Sequence, residues 1–97
     1  MIGMSKTLQY KLLKKLDKLV KAIQKQHELV LELGSHVSLL RANVADGTGI
    51  SSIGIAKMYE ILGRLRTNID NIEKICRELL TLYEQSLRSS SNASEVR

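Results

Sequence analysis

The amino-acid sequence predicts an all-α fold: two long helices that form an antiparallel coiled-coil hairpin, which packs into a larger helical bundle. Three observations predict it. The 97-residue chain contains no Pro, Trp or Phe, and it is rich in helix-forming residues. Its apolar residues recur at alternating steps of four and three, the spacing of a heptad repeat. One glycine-rich break near the middle separates two such repeats, so the second helix can fold back on the first.

The first heptad pattern predicts a helix over about residues 5–44. Nine of its ten seam positions are apolar, and the exception is Gln26. We interpret Gln26 either as a polar residue that fixes the register or as a place where the seam loosens. Positions a are Leu16, Ile23, Val30, Val37 and Val44, and positions d are Leu12, Leu19, Gln26, Leu33 and Leu40.

The break and the second pattern complete the predicted hairpin. Asp46, Gly47 and Gly49 predict a turn over residues 45–50, because glycine and aspartate end helices and reverse the chain. A second helix is expected over about residues 51–87, capped by Ser51 or Ser52. Its seam positions are Ile55, Met58, Leu62, Leu65, Ile69, Ile72, Cys76, Leu79 and Tyr83. Residues 1–88 thus form a single hairpin, and the polar residues 89–97 are expected to form a disordered tail.

More apolar side chains are present than one seam between two helices can cover. The additional ones are Leu13, Val20, Leu29, Leu31 and Leu39 on the first helix and Tyr59, Ile61, Ile75, Leu80 and Leu82 on the second. A soluble monomer rarely exposes an apolar patch of that size. We therefore predict that the hairpin packs against other helical subunits, as part of a hetero-oligomer. The predicted partner-interface residues are Leu12, Leu16, Leu19, Ile23, Val30, Leu33, Val37, Leu40, Ile55, Met58, Leu62, Leu65, Ile69, Ile72, Leu79 and Tyr83.

The positive charge of the chain is concentrated in its first quarter. Residues 1–25 contain seven Lys and one Asp, a net charge of +6, whereas the remaining 72 residues have eight basic and nine acidic side chains. A stripe of ammonium groups opposite the seam attracts polyanions such as nucleic acid, anionic lipid or an acidic protein surface, without sequence specificity. The alternative interpretation is a solvated outer face. The stripe consists of Lys11, Lys14, Lys18, Lys21 and Lys25.

Signals of enzymatic chemistry are weak, so we predict a non-enzymatic protein with no cofactor, metal ion or small-molecule substrate. The Gly47–Gly49 stretch lacks the strand and the Lys of a phosphate-binding loop. His27 and His36 are nine residues apart, which is not a ligand spacing on one helix face. Cys76 is expected to be a small buried hydrophobe in the seam.

The same composition sets expectations about location. No apolar run approaches the roughly 20 residues of a transmembrane helix, so no membrane span is predicted. A single Cys cannot form an internal disulfide, which indicates either an intracellular, reducing compartment or a fold that needs no disulfide. The first residues are too short and polar for a signal peptide, and the sequence leaves open whether translation begins at Met1 or Met4.

From Leu40 to about Ile72 the chain resembles a short helical-hairpin subunit of the DASH complex, the fungal outer-kinetochore assembly that rings spindle microtubules. Asp46-Gly47-Thr48 is similar to the turn of that family. The apolar step into the second helix matches at Ile50, Ile53 and Ile55, and the later apolar positions match at Ile61, Leu62 and Leu65. The chain departs from the family at Lys57-Met58, where the family pattern has Asn-Trp.

The resemblance implies a subunit of a hetero-oligomeric helical bundle that couples kinetochores to spindle microtubules during chromosome segregation in mitosis. If the resemblance holds, the protein acts in the nucleus, at the kinetochore and spindle. If it does not hold, we expect a cytoplasmic protein. Our added hypothesis is that the lysine stripe faces the acidic surface of tubulin or a neighbouring subunit. Two alternatives remain open: a small homodimeric helical bundle that binds nucleic acid through the lysine stripe, and a coiled-coil subunit of a vesicle or lysosome trafficking complex.

Overall fold

The computed structural model describes the backbone of residues 4–95 and the side chains of residues 4–88. It consists of two long helices, α1 (Lys6–Ala45) and α2 (Ser52–Glu95), packed against each other along an extended antiparallel hairpin. At a rise of about 1.5 Å per residue, each helix is about 60 Å long or slightly longer. The predicted all-α hairpin is therefore confirmed.

Serine side chains cap both helices at their amino ends. The Ser5 hydroxyl accepts a hydrogen bond from the Leu8 N–H at 3.1 Å, and the Ser51 hydroxyl accepts one from the Gly54 N–H at 3.2 Å. Each bond satisfies a backbone donor that has no partner within the helix. Of the two cap candidates for α2, Ser51 therefore has this role.

The turn between the helices depends on two glycines in the left-handed region, Gly47 at φ +84° and Gly49 at φ +98°. This conformation lets the N–H of Gly47 and of Gly49 bond the carbonyls of Val44 and Asn43, which lie in the last turn of α1. The Asp46 carboxylate then accepts hydrogen bonds from the N–H, at 2.9 Å, and the hydroxyl of Thr48. A short, internally bonded turn of this kind brings α2 directly back along α1.

The carboxyl end of α2 lies further along the chain than predicted. The described backbone is helical to Glu95, whereas we expected helix to about residue 87 and a disordered tail over residues 89–97. The physical reason is that residues 88–95 contain no Gly or Pro, so nothing in them interrupts the helical hydrogen bonds. Residues 96–97 of the predicted tail lie outside the described residues.

The seam between the helices contains only half of the predicted positions. The d positions of α1 and the α2 row of Met58, Leu65, Ile72 and Leu79 lie in it, buried or half-buried. The second row of each helix is displaced by one residue. In α1 it is Lys15, Ala22, Leu29, His36 and Asn43, and in α2 it is Gly54, Ile61, Asn68, Ile75 and Leu82. Leu29, Ile61 and Leu65 form the centre of the core, with Leu33 and Leu62 packed against it.

The predicted a row is therefore wrong as a seam row. Its members, Leu16, Ile23, Val30, Val37 and Val44, are between 44% and 52% exposed. In α2, Ile55, Ile69, Cys76 and Tyr83 are likewise exposed. Conversely, Leu29, Ile61 and Ile75, which we placed outside the seam, are buried, and Leu82 is half-buried.

Complementary pairs explain the displaced register. With the second row one residue earlier, Lys15 reaches Glu78, and the small Ala22 leaves room for the Asn68 amide to bond its carbonyl. Lys15 and Asn68, which enter the seam, thus find partners, as buried polar groups require. The predicted a row of α1, which is more apolar than the row that enters the seam, remains on one side of the hairpin.

Candidate functional site

One side of the hairpin is an apolar face. In each helix, one row of residues directly follows the second seam row, one position later in the chain. Two antiparallel helices are related by a two-fold axis perpendicular to their common plane, so these two rows lie on the same side of the hairpin. The contacts at the turn agree, because Val37 and Val44 of α1 line the same groove as Ile55 of α2. We define the apolar face as Leu16, Ile23, Val30, Val37, Val44, Ile55, Leu62, Ile69, Cys76 and Tyr83.

The apolar face continues to the turn end of the hairpin. There it forms an open groove of about 410 Å³, lined by Val37, Leu40, Val44, Ile50 and Ile55 together with Arg41 and Ala45. Ile53, directly before Gly54, is also exposed. Aliphatic side chains are therefore exposed along most of one face, from Leu16 near the open end to the turn.

The predicted partner-interface residues divide between two roles in this structure. Those of the d row and the Met58 row face the other helix of the hairpin: Leu12, Leu19, Leu33, Leu40, Met58, Leu65, Ile72 and Leu79. Those of the apolar face point away from the seam and are accessible to another molecule, with Leu62 half-buried between the two sets. Further exposed apolar side chains border this face at Leu13 and Val20 of α1 and at Tyr59 and Leu80 of α2.

The opposite side of the hairpin contains a basic groove. It is a cavity of about 340 Å³ between the helices, lined by five lysines and by Asn68, Asn71 and Glu78, with Ala22 and Ile75 at its base. We define the basic groove by these residues, the lysines being Lys15, Lys18, Lys21, Lys25 and Lys74. An adjoining cavity of about 450 Å³ is lined by Lys11 and Lys14 together with Lys15, Lys18 and Glu78.

The predicted lysine stripe is thus beside the seam and not opposite it. Lys18, Lys21 and Lys25 face α2 across the groove because the seam is displaced by one residue towards them. Sequence reasoning missed Lys15 and Lys74. Lys74 comes from the other helix, and only the alignment of the two helices brings it to the stripe.

Among the described side chains that line the basic groove, Glu78 is the one that is acidic. Its carboxylate accepts a hydrogen bond from the Lys15 ammonium group, and both side chains are about one-third exposed. That hydrogen bond lowers the pKa of Glu78, and the positive charges of Lys15, Lys74 and Lys18 lower it further, against a smaller opposing effect of desolvation. Glu78 therefore gives up its proton more readily in this pair than an isolated glutamate does.

A second polar contact lies inside the seam. Asn68 is 4% exposed, and its side-chain nitrogen donates to the Ala22 carbonyl and to Gln26 Oε1, each at 2.8 Å. Of the two interpretations of Gln26, the bonded geometry favours the register-fixing role. Asn68 itself was missed. The available signal was its place in a seven-residue row whose other members, Ile61, Ile75 and Leu82, are apolar.

The histidines and the cysteine do not form a common site. His27 is exposed and His36 is half-buried at the seam. Cys76 is exposed on the apolar face, so the prediction that it is buried in the seam is wrong, because the seam row passes through Ile75 instead. Over the described part of the chain, no three His, Cys, Asp or Glu side chains are grouped as metal ligands.

Neither helix, over the residues described, has a segment long and apolar enough to span a membrane. Comparison of the chain with protein-family models, with curated proteins and with solved structures gave no match. What the chain does is therefore inferred from its apolar face and its basic groove.

Proposed function

We propose that the chain is a non-enzymatic structural subunit of a multi-protein helical assembly, and that its apolar face packs against helices of partner subunits. The observation that carries the proposal is the exposed row of Leu16, Ile23, Val30, Val37 and Val44 along α1, with Ile55, Ile69 and Tyr83 of α2 on the same face.

The exposure of the apolar face indicates a partner, because covering these side chains lowers the free energy. Burying a whole aliphatic side chain contributes about 1.5–3 kcal/mol, so each half-exposed member gains roughly half of that when a partner covers it. A continuous exposed row of this length is unusual for a protein that remains monomeric. It is typical of a surface that is covered in the functional state.

The spacing of the row indicates that the partner is also helical. Leu16, Ile23, Val30, Val37 and Val44 are seven residues apart. Such a row drifts by about 20° per heptad around a straight helix, so it stays in contact along its whole length only with a helix that coils around it. In a bundle, a helix commonly buries three positions of each heptad, two towards one neighbour and a third towards the next. The seam uses two rows of each helix here, and the apolar face supplies the third.

The finer proposal is that the assembly is the DASH complex and that the chain acts in kinetochore–microtubule coupling. Its support is the resemblance of residues 40–72 to hairpin subunits of that complex, together with the hairpin architecture. Purification of the chain from its native cell with its bound partners tests this directly. Kinetochore subunits among the partners would support it, whereas trafficking-complex subunits or ribonucleoproteins would favour the two alternatives.

A pair of variants tests the coarser proposal. Ile23 and Ile69 lie at the same level of the hairpin on the apolar face, and neither is buried in the seam. We expect the double variant Ile23→Asp, Ile69→Asp to keep its helical circular dichroism and to lose its partners in co-purification, because unpaired carboxylates are costly to bury.

The matched control adds the same two charges elsewhere on the hairpin. Gln24 and Thr67 are exposed and lie outside the apolar face, so Gln24→Asp, Thr67→Asp should retain both helicity and partners. If the Ile23, Ile69 variant still co-purifies with the full set of partners, the apolar face is not the interface and the proposal fails.

A further inference from the structure

The basic groove has a charge imbalance that the packing of the hairpin does not require. Five lysines line it against one carboxylate, Glu78, and that carboxylate is bonded to Lys15. Among the described side chains, Lys18, Lys21, Lys25 and Lys74 form no ion pair with an acidic residue. Like charges gathered around one cavity repel one another, and a bound anion relieves that repulsion.

We infer that the basic groove binds a cluster of phosphate groups on a compact carrier, such as an inositol polyphosphate, either free or as the headgroup of a phosphoinositide lipid. The inference is independent of the proposed function, because the groove lies on the side of the hairpin opposite the apolar face. A partner that covers only the apolar face leaves the basic groove accessible.

The type of cation favours phosphate over other anions. A lysine ammonium group is a compact, strongly hydrated charge with three rotatable donors, and it pairs with phosphate oxygens without a fixed approach geometry. The described lining of the basic groove contains no arginine, so its anion contacts are those of several separate lysine point charges, which suit an anion that carries several charges close together. A phosphate monoester offers three acceptor oxygens and a charge of about −1.5 to −2 near neutral pH.

The size and lining of the groove favour a compact ligand over a nucleic acid strand. Its volume of about 340 Å³ is at the small end of the range for small-molecule sites. Lys15 and Lys25 are ten residues apart on α1, so the α1 lysines of the groove span about 15 Å. Beyond Lys25 the next cavity is lined by Glu60 and Arg64, and beyond Lys15 the adjoining cavity adds Lys11 and Lys14. None of the described side chains that line the basic groove is aromatic, so this lining offers no stacking surface of the kind on which single-stranded nucleic acid binds.

Polar groups at the groove also suit a hydroxylated carrier. Asn71 is exposed in the lining, between the buried Asn68 and the lysine of α2, Lys74. Its amide offers both a donor and an acceptor to ring hydroxyl groups. Lysines of both helices lie around Asn71, so they can contact phosphates attached at different positions of a single ligand ring at the same time.

The test is isothermal titration calorimetry of the full-length chain, or of the assembly purified with it, against inositol hexakisphosphate. The groove variant is Lys18→Gln, Lys21→Gln, Lys25→Gln. The matched control, Lys6→Gln, Lys57→Gln, Arg66→Gln, removes the same number of charges outside the basic groove and outside the turn-end groove of the apolar face. We expect binding by the wild type, a loss of about tenfold or more in the groove variant, and a loss below about twofold in the control, since distant charges are screened.

Sedimentation with phosphatidylcholine vesicles, with and without phosphatidylinositol bisphosphate, separates the two sources of the phosphate cluster. Binding to the lipid-containing vesicles that the groove variant loses identifies the headgroup, and binding to inositol hexakisphosphate alone identifies a soluble ligand. Both outcomes support the site. Absence of binding to both, an equal loss in groove and control variants, or tighter binding to a single-stranded RNA at equal phosphate concentration would overturn it.

Glu78 provides a test in the opposite direction. Glu78→Gln removes the one carboxylate of the lining and frees Lys15, so the groove gains a unit of positive charge and a free donor. We expect affinity for inositol hexakisphosphate to rise by about twofold to fivefold. Unchanged or weaker binding in a variant that remains helical would mean that the ligand does not occupy the basic groove.

Discussion

The side-chain nitrogen of Asn68 on α2 donates a hydrogen bond to Oε1 of Gln26 on α1 at 2.8 Å, across the middle of the seam. The same nitrogen donates to the Ala22 carbonyl, also at 2.8 Å, so both of its hydrogens have partners. A satisfied polar pair inside an otherwise apolar seam can be made in one alignment of the helices only. It therefore contributes to register as well as to stability.

Replacement of Asn68 by alanine should destabilise the hairpin by about 1–3 kcal/mol. It removes two hydrogen bonds and leaves Gln26 Oε1 without its partner in a half-buried position. Urea denaturation followed by circular dichroism measures the change. The neighbouring Asn71→Ala is the matched control, because Asn71 is exposed, and its effect should stay within about 0.5 kcal/mol.

The double variant Gln26→Leu, Asn68→Leu separates register from stability. Replacing both partners by apolar groups of similar size should restore most of the stability that Asn68→Ala loses. We expect it to permit more than one alignment, seen as doubled amide resonances or a second disulfide register between engineered cysteines. A single native alignment in this variant would show that the Asn68–Gln26 pair does not fix the register.

We expect the substitution of glycine by alanine to have opposite effects on stability at Gly47 and at Gly63. Gly47→Ala places a β-carbon at φ +84°, which should destabilise the hairpin by about 1–2 kcal/mol. Gly63 lies within α2 with open space around it, so Gly63→Ala should stabilise the helix by about 0.5–1 kcal/mol. Thermal denaturation measures both. If Gly47→Ala raised the melting temperature, the left-handed turn would not be the one formed in solution.

The fold could be predicted from the sequence because two of its determinants are local. The four-and-three spacing of apolar residues defines helices, and Asp46, Gly47 and Gly49 define where the chain reverses. The choice between neighbouring rows is not local. Ile23 is more apolar than Ala22, yet Ala22 faces α2, because Asn68 of α2 needs the space that a small side chain leaves. That requirement is visible only once the second helix is in place.

The candidate sites were predictable to the extent that one helix forms them. The lysines of α1 were evident from their spacing, but the basic groove also needs Lys74, Asn71 and Glu78 from α2. The apolar face follows the same rule. Its members on each helix were identified from the heptads, but we assigned most of them both to the seam and to the partner interface, since hydrophobicity alone does not distinguish a contact within the chain from a contact with a partner.

Acid titration should reveal the Lys15–Glu78 pair. The folded-state pKa of Glu78 is lowered by the hydrogen bond from Lys15, so the folded state binds this proton less readily than the unfolded state. The contribution of the pair to stability is therefore complete above the ordinary glutamate pKa and is lost as the pH falls through the lowered one. In Lys15→Met, carbon-detected NMR should show the Glu78 carboxyl titrating at higher pH than in the wild type.

Lys6→Met is the control for that titration, because it removes one ammonium group from α1 without touching the basic groove. It should leave the titration of Glu78 almost unchanged, since exposed charges at that distance are screened. Identical Glu78 titration curves for the wild type and Lys15→Met would contradict the ion pair.

The single cysteine of the chain reports directly on the apolar face. Cys76 is exposed in the hairpin, beside Ile69 and Tyr83 in the same row. We expect its thiol to react readily with an aromatic disulfide reagent in the isolated chain, and to react on the order of tenfold more slowly in the assembly, because a covered thiol is less accessible.

The control moves the thiol away from that face. In Cys76→Ser, Gln24→Cys the single thiol lies on an exposed position of α1 outside the apolar face, and its rate should be similar in the two states. The reactivity of Cys76 should also rise again when the assembly is made with Ile23→Asp, if any assembly forms. Equal rates for Cys76 in the isolated chain and in the assembly would show that partners leave this part of the apolar face uncovered, and the interface would then have to lie elsewhere on the hairpin.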